Sequence, residues 1–389
     1  MNLVQRRLQY IRRIILLNHS SFLKRDPNLY VFGSWFGEKY ADNSKYLYRY
    51  FLSKGERAYW ITKSEGVYNQ LKQEGLPVAM AYSKEGKQLC KKAGYIVTST
   101  GLADINENLI GGATRIDLFH GIPLKKIMYD DEVGGKLHTR SQRIHEKLTH
   151  RALKDYYVFS SSDTVSKSIK SAFRVDEKHI LQYGLPRNDA FFDGSLKKVK
   201  YSDIEYRFVI SYLPTHRNSG KTPIQIEKLL DLEKLDGFCQ ENGILFVIKK
   251  HFYHNQEKTD LSAYRNILDL TGQSLDTQEL MYNSDVLITD YSSCYIDYLL
   301  LNRPIVFFSY DLEDYLKKDR EMYYRYEDVA PGDICSDYNR LHEVLKKTVE
   351  SAFVISEKQE SIRDLFFAKE NQGIVSEYYY RFMKTHRGQ

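Results

Sequence analysis

Cysteine is scarce in this chain and long apolar runs are missing, and each absence removes a class of protein. The four cysteines, Cys90, Cys239, Cys294 and Cys335, are widely scattered and form no Cys-x-x-Cys spacing. A disulfide framework or a zinc site is therefore not expected, and a reducing cytoplasm suits the chain. No stretch approaches the ~20 apolar residues needed to span a bilayer. The apolar run Ile14 to Leu17 is too short for a signal peptide and no cleavage site follows it, so the chain is expected to stay in the cytoplasm. Neither G-x-G-x-x-G nor G-x-x-x-x-G-K-[ST] occurs, which removes the dinucleotide fingerprint and the P-loop. Low-complexity tracts and short-period repeats are also absent.

The 389 residues suit two domains of about 150–200 residues each. Net charge is +6 and unevenly spread: residues 1–25 hold Arg6, Arg7, Arg12, Arg13, Lys24 and Arg25 without one acid. Leu3, Val4, Leu8, Ile11 and Ile15 recur at three- and four-residue spacing, which predicts a basic amphipathic helix over 2–23. Such a helix either lies on an anionic membrane surface or covers its own domain, and the lack of acids tilts the reading to the membrane. A second basic stretch, Lys136 to Lys154 with Glu146 its only acid, is either a further contact for an anionic lipid or acceptor or a solvated helix face. Tyrosine, at 32 residues, fits clefts and interfaces and identifies neither.

Short β-branched runs alternate with helix-period runs along the rest of the chain. The first strand, Asn28 to Ser34, leads into the loop Ser34-Trp35-Phe36-Gly37, and Asp42-Asn43-Ser44 caps the helix that follows. Strands at 58–61, 78–80 and 95–99 interleave with helices at 66–74 and 84–92. A strand from Thr114 runs into His120-Gly121. After a strand at 156–160 and a helix from Asp163, the turn Gly184 to Asp189 carries an embedded cation, Arg187. The polar stretch 195–203 reads as a linker. Strands at 208–212, 244–249, 286–288 and 304–308, with a helix at 227–241, repeat the alternation. The pattern predicts an α/β protein with two Rossmann-like, doubly wound parallel sheets, divided into residues 1–25, 26–197 and 198–389.

Open α/β sheets bind ligands beyond the carboxyl ends of their strands, so the candidates lie there. In the second half these ends carry Thr215-His216-Arg217, Lys249-Lys250-His251 and Asp290-Tyr291-Ser292-Ser293. Cations, hydroxyls and a helix N-terminus together suit a diphosphate, although Ser292 or Ser293 alone reads as a helix cap. The first half offers Gly33, Ser34 and His120, with Lys125 just beyond. Two such edges facing each other form a cleft. No Asp-x-Asp pair lies near it, so charge compensation falls on Lys, Arg, His and backbone dipoles, and no metal cofactor is expected to be required.

The segments FHGIPLKK (119–126), YGLPRND (183–189), YLPTHR (212–217), VIKKH (247–251), LITDYSS (287–293), PIVFFSYDLEDY (304–315) and APGDI (330–334) occur in characteristic order. They resemble the CDP-glycerol glycerophosphotransferase family, which makes wall teichoic acid and related polyol-phosphate polymers. The resemblance implies a GT-B architecture, with an acceptor domain first and a CDP-donor domain second. It implies a peripheral enzyme on the cytoplasmic face of the membrane. The implied reaction moves a polyol phosphate, glycerol phosphate foremost, from a CDP-polyol to a hydroxyl of an undecaprenyl-type lipid-linked acceptor and releases CMP.

His120 and His251 stand at the family's essential histidines, and Thr215, Ser292 and Ser293 at its phosphate-contacting hydroxyls. His216 departs from the aromatic residue common there, and Phe252 from a proline. Polymerising members often carry a further N-terminal region, so the short basic helix leans towards a primase or a compact polymerase. Phosphoryl transfer rewards positioning and charge, which makes His120 the expected base and His251, Lys249 and Arg217 the expected stabilisers of the diphosphate. Asp290 either orients one of these groups or holds the turn. Arg187 and Arg320 are read as substrate contacts or as surface ion pairs. Gly33, Ser34 and Lys125 complete the substrate-binding set. A GT-B glycosyltransferase using a nucleotide-sugar is one rival reading. A non-catalytic RNA- or lipid-binding protein is another, but charge at strand ends suits a small anion better than a nucleic acid.

Overall fold

The computed structural model describes residues 3–131, 147–149, 151–217, 222–251, 258–273, 275–318 and 321–386. Its strands form two all-parallel sheets. The first contains β1 (Asp26–Phe32), β2 (Arg57–Thr62), β3 (Val78–Met80), β4 (Ala93–Thr98), β5 (Thr114–Asp117), β6 (Asp155–Phe159) and β7 (Ile180–Leu181), in the order β3-β2-β1-β4-β5-β6-β7. The second contains β8 (Phe208–Leu213), β9 (Ile244–Ile248), β10 (Ile267–Asp269), β11 (Val286–Thr289), β12 (Ile305–Phe308) and β13 (Ile334–Cys335), in the order β10-β9-β8-β11-β12-β13. Ile288 of β11 lies between Tyr212 of β8 and Val306 of β12. Every residue of β9, β11 and β12 is buried, as strands covered by helices on both faces require. Strand order reverses between β1 and β4 and again between β8 and β11. Each reversal opens a crevice at the carboxyl edge, and the two edges face each other in the GT-B arrangement.

Three local features differ from the sequence reading. Strands β10 and β13 are too short to carry a period and are defined only by pairing with β9 and β12. The helix expected over 227–241 is two pieces, Ile226–Leu229 and Leu232–Asn242, because Asp231 caps the second by accepting from the Lys234 N–H at 3.1 Å. The helix Asp42–Ser53 starts without a side-chain cap hydrogen bond at its N-cap residue, Ala41, while Asp42 accepts from Arg187 Nη1 and Asn43 Nδ2 donates to the Phe119 carbonyl.

The two faces of the first sheet bury Tyr30, Phe32, Tyr48 and Trp60 on one side and Val31, Ile61, Ile96 and Leu17 on the other. The closing helix, Val375–Thr385, returns to this lobe, where Val375, Tyr379 and Met383 join the Tyr30 cluster. The expected division at 197/198 therefore does not hold for the chain's last helix. Asp189 of the first lobe accepts from the Val375 and Ser376 N–H groups at 2.9 and 2.7 Å and so caps that helix.

The basic helix spans Leu3–Ser20, and its end is anchored by buried Leu17 and by an Arg13–Glu107 ion pair at 3.3 Å. Ile15, Leu16 and Phe22 remain 60, 37 and 88% exposed. Among the described residues no helix is long and apolar enough to cross a membrane. Most of the basic stretch from 136 to 154 lies outside the described residues.

Candidate active site in the interlobe cleft

A cleft of about 800 Å³ separates the two sheet edges. Its first-lobe wall comes from the loops after β1 and β5, and its second-lobe wall from the loops after β8, β9 and β11. Strand β5 ends at Asp117, and Phe119 then takes φ 52, a conformation that costs a residue with a side chain. Two donors hold this turn: Asn43 Nδ2 to the Phe119 carbonyl and Arg187 Nη1 to the His120 carbonyl, each at 2.9 Å. His120 thereby lines the cleft, its ring 5.7 Å from that of Trp35. Solvent reaches the ring through the cleft, yet desolvation by the surrounding protein pushes its pKa below the ordinary imidazole value. Asp42, the Ser99 backbone and Asp117 pull it back up, and Arg187 adds to the downward push. A neutral imidazole facing a cleft can take a proton.

The lobes touch beside this histidine. A Cβ added to Gly121 would sit 3.0 Å from Ser293 Oγ and 3.5 Å from Arg187 Nη2, so only glycine fits without displacing a neighbour. Ser292 and Ser293 begin the helix Cys294–Leu299 and divide the two roles the sequence left open. Ser292 Oγ accepts from the Cys294 N–H at 3.3 Å, as a cap does. Ser293 has helical φ and ψ of −68° and −3° and makes no capping bond, and its hydroxyl lies at the cleft beside Gly121.

Asp290 is fully buried and accepts from the Thr215 N–H (2.9 Å), the Thr215 hydroxyl and the Tyr291 N–H (2.6 Å). It also pairs with Arg217 at 2.9 Å. The hydrogen bonds that Arg217 donates go to both oxygens of Asp311 (2.7 and 2.9 Å) and to the Thr215 carbonyl (2.6 Å). Arg217 and Asp290 are thus a brace between strand ends: Asp290 takes the turn-holding role that was one of its two readings, and Arg217, expected on the diphosphate, is engaged by two carboxylates. Thr215 lines the cleft, but both its N–H and its O–H are committed to Asp290, so only oxygen lone pairs are left to meet a ligand.

Lys249 follows β9 and lines the cleft, while Lys250 turns to Thr259 Oγ1 at 3.0 Å. The His251 ring lies 4.7 Å from His216, so the departure at 216 is itself a site residue. Desolvation lowers the Lys249 pKa, with Asp276 opposing. The pKa of Lys39 is lowered by burial and then by Lys249, so two ammonium groups from opposite lobes repel across the cleft. An anion between them relieves that repulsion.

The other candidates are engaged by the protein itself. A Cβ on Gly33 would meet the Asp104 carbonyl oxygen and Ile105 Cγ2, both at 2.7 Å, and Ser34 is fully buried with its hydroxyl on the Lys39 carbonyl at 3.0 Å. Neither residue lines the cleft; they shape the loop that carries Trp35 and Lys39 into it. Lys125 lines the cleft but donates across the lobes to the Tyr315 hydroxyl, in a strap where Lys126 N–H meets the Glu321 carbonyl at 2.7 Å. Arg187 also lines the cleft, but its guanidinium is buried between Asp42 (2.8 Å) and Asp297 (2.5 Å), so two carboxylates already hold its terminal nitrogens. Arg320 lies outside the described residues. Among those residues, no cluster of three or more His, Cys, Asp or Glu side chains could hold a metal ion. The sequence placed the loop that holds Trp35 at a strand end without singling that residue out, and it missed Lys39. The strand-end rule that reached Ser34 reaches Lys39 when carried five residues further.

The chain matches the family described as CDP-Glycerol:Poly(glycerophosphate) glycerophosphotransferase over residues 15–384. A teichoic acid poly(glycerol phosphate) polymerase of Staphylococcus epidermidis is 28% identical over 370 residues, covering 90% of this chain and 50% of that protein. The chain thus spans half the length of that relative. A teichoic acid glycerol-phosphate transferase of Staphylococcus aureus is 27% identical, covering 84% of this chain and 85% of its own length. The solved wall teichoic acid polymerase TagF superposes with a TM-score of 0.73 at 27% identity, over 100% of this chain and 98% of that one. A histidine-to-asparagine form of it soaked with CDPG gives 0.74 at 26%, over 99% and 97%. With the family match running almost end to end and the fold shared throughout, this chain belongs to the CDP-glycerol:poly(glycerophosphate) glycerophosphotransferase family.

Proposed function

We propose that this chain transfers a polyol phosphate, glycerol phosphate foremost, from a CDP-polyol to a hydroxyl of a lipid-linked acceptor in teichoic acid synthesis. The observation that carries the reading is the pairing of walls: His120 on one lobe faces a cationic edge with Lys249 and His251 on the other, and Gly121 meets Ser293 between them. Relatives named for glycerol-phosphate transfer and polymerisation, and the polymerase soaked with CDPG, support the same donor. Two solved variants of that polymerase replace a histidine, which supports a histidine at the chemistry.

The acceptor oxygen forms a bond to the β-phosphorus as the bond from that phosphorus to the bridging oxygen breaks. The electron pair leaves with CMP, and the acceptor proton passes to His120. Lys249, Lys39 and His251 offset the charge on the diphosphate, and the Ser293 hydroxyl fixes the transferred group. The helix Leu3–Ser20 holds the enzyme at the cytoplasmic face of the membrane: Arg12, Arg13, Ile15, Leu16 and the following Phe22 present exposed basic and apolar groups to anionic lipid.

The test is acceptor-dependent CMP release from CDP-glycerol, and separately from CDP-ribitol, for the wild type and His120→Ala. Release lost in the variant supports transfer and the base together, and product length distinguishes a primase from a polymerase. Transfer of a sugar without phosphate sinks the proposal.

A further inference from the structure

We infer that Arg187 is a positioning residue that sets the general base of one lobe in register with the phosphate-binding turn of the other. The inference rests on the transfer reaction proposed above. Arg187 sits in the turn Pro186–Phe191, between the last strand of the first sheet and the linker to the second. Its Nη1 donates to Asp42 at 2.8 Å and to the His120 carbonyl at 2.9 Å, and its Nη2 donates to Asp297 at 2.5 Å. Asp297 lies one helical turn after Ser293, in the helix that Ser293 opens. One planar guanidinium therefore touches the peptide of the base and the helix that presents the phosphate-facing hydroxyl.

The flanking residues fix both ends of this link. Asn188 donates to the second Asp297 oxygen at 3.0 Å and accepts from Gln278 Nε2 at 3.2 Å, so the carboxylate cannot swing. On the base side, Asn43 accepts from the Arg187 N–H at 3.3 Å and donates to the Phe119 carbonyl at 2.9 Å. The two successive carbonyls of the turn at Phe119, with its φ of 52, are thus each held by a donor. Proton abstraction needs His120 within hydrogen-bond reach of the acceptor hydroxyl while the transferred phosphoryl is held from the other lobe. A shift of about 1 Å in such a pair costs on the order of 10²-fold in rate. The rigid fork of arginine transmits position in two directions, and a lysine ammonium does not.

The charge of Arg187 has a separate consequence. The groups facing the His120 ring are Asp42, Asp117, Arg187, the Ser99 backbone and the rings of Trp35 and Phe119. Arg187 is the cation among them, so its loss leaves His120 among carboxylates and raises the pH at which the base is protonated.

The experiment compares Arg187→Lys, Arg187→Gln and Asp297→Asn with the wild type in CMP release, with melting temperature as the check on folding. The inference expects kcat to fall on the order of 10²-fold in Arg187→Lys and Asp297→Asn, with the donor KM nearly unchanged. It expects the acid limb of the pH profile to stay put in those two and to move to higher pH in Arg187→Gln. If Arg187→Gln does not fold, the other two decide by their kcat. Wild-type kcat in both, or a loss confined to the donor KM, overturns the positioning role. A wild type that releases no CMP from either donor fails the transfer reading itself, and this role with it.

Discussion

Arg217 holds the buried carboxylate of Asp290 at 2.9 Å and stacks its guanidinium 4.9 Å from the Tyr291 ring centroid. The pair ties the ends of β8 and β11 together beneath the cleft, since Asp290 also takes both donors of Thr215. Removing one partner of a buried ion pair strands the other, at a cost of roughly 3–5 kcal/mol. Asp311 stays on Arg217 and softens the loss, so Asp290→Asn is expected near the lower end of that range. Urea unfolding of the variant reads this directly. A direct substrate role predicts the reverse pattern, with unchanged stability and weakened donor binding.

The two serines that open the helix Cys294–Leu299 separate in the same way. Ser292 acts on the helix end, so Ser292→Ala is expected to lower stability by about 1 kcal/mol while most activity survives. Ser293 makes no capping bond, so Ser293→Ala is expected to leave the melting temperature in place and to slow CMP release. Melting and turnover measured on both variants test the division. Equal effects from the two would return both serines to a capping role.

Why the sequence showed the architecture so well and the site so unevenly has a physical answer. A buried parallel strand must be a continuous apolar run, and its ligand must lie at its carboxyl end, so β8, β9 and β11 and the polar groups after them were readable in one dimension. Which of those polar groups is free to meet a ligand depends on partners far along the chain. Arg217 is claimed by Asp311, 94 positions away, and Arg187 by Asp297, 110 positions away. Gly33 is small because the Asp104 carbonyl approaches it, a contact no local pattern signals. The GLPRND turn reads as a cation in a loop, whereas Arg187, Asn188 and Asp189 are all buried and each fastens a different pair of elements.

Lys39 lies seven residues beyond the end of β1, past the residues that a strand-end pattern marks. Its side chain stands 5.2 Å from the Trp35 ring centroid on the His120 side of the cleft, and Lys249 faces it from the other lobe. Asp42 offsets part of the Lys39 charge and Asp276 part of the Lys249 charge, and the developing charge of a transferred phosphoryl group adds a further favourable partner between the two lysines. Lys39→Gln is expected to lower kcat on the order of 10²-fold, with Lys39→Arg recovering part of it. With the lysines supplying the charge, turnover of the wild type is expected to persist in EDTA. Abolition by EDTA with recovery on adding magnesium would hand that role to a metal ion.

The pH dependence follows from the direction of the His120 shift. Desolvation and Arg187 outweigh Asp42, Asp117 and the Ser99 backbone, so the ring is neutral at a lower pH than free imidazole. The neutral ring is the competent base. Lowering the pH through its pKa adds a proton, removes the lone pair that would take the acceptor proton, and slows the reaction. The acid limb of kcat/KM is therefore expected below pH ~6.5, the ordinary imidazole value, with no loss from this group as the pH rises from 7 to 8. Asp42→Asn removes the carboxylate that resists the shift and is expected to move the limb lower still, opposite to Arg187→Gln. A limb above 6.5, or one that ignores both substitutions, would remove His120 as the titrating base.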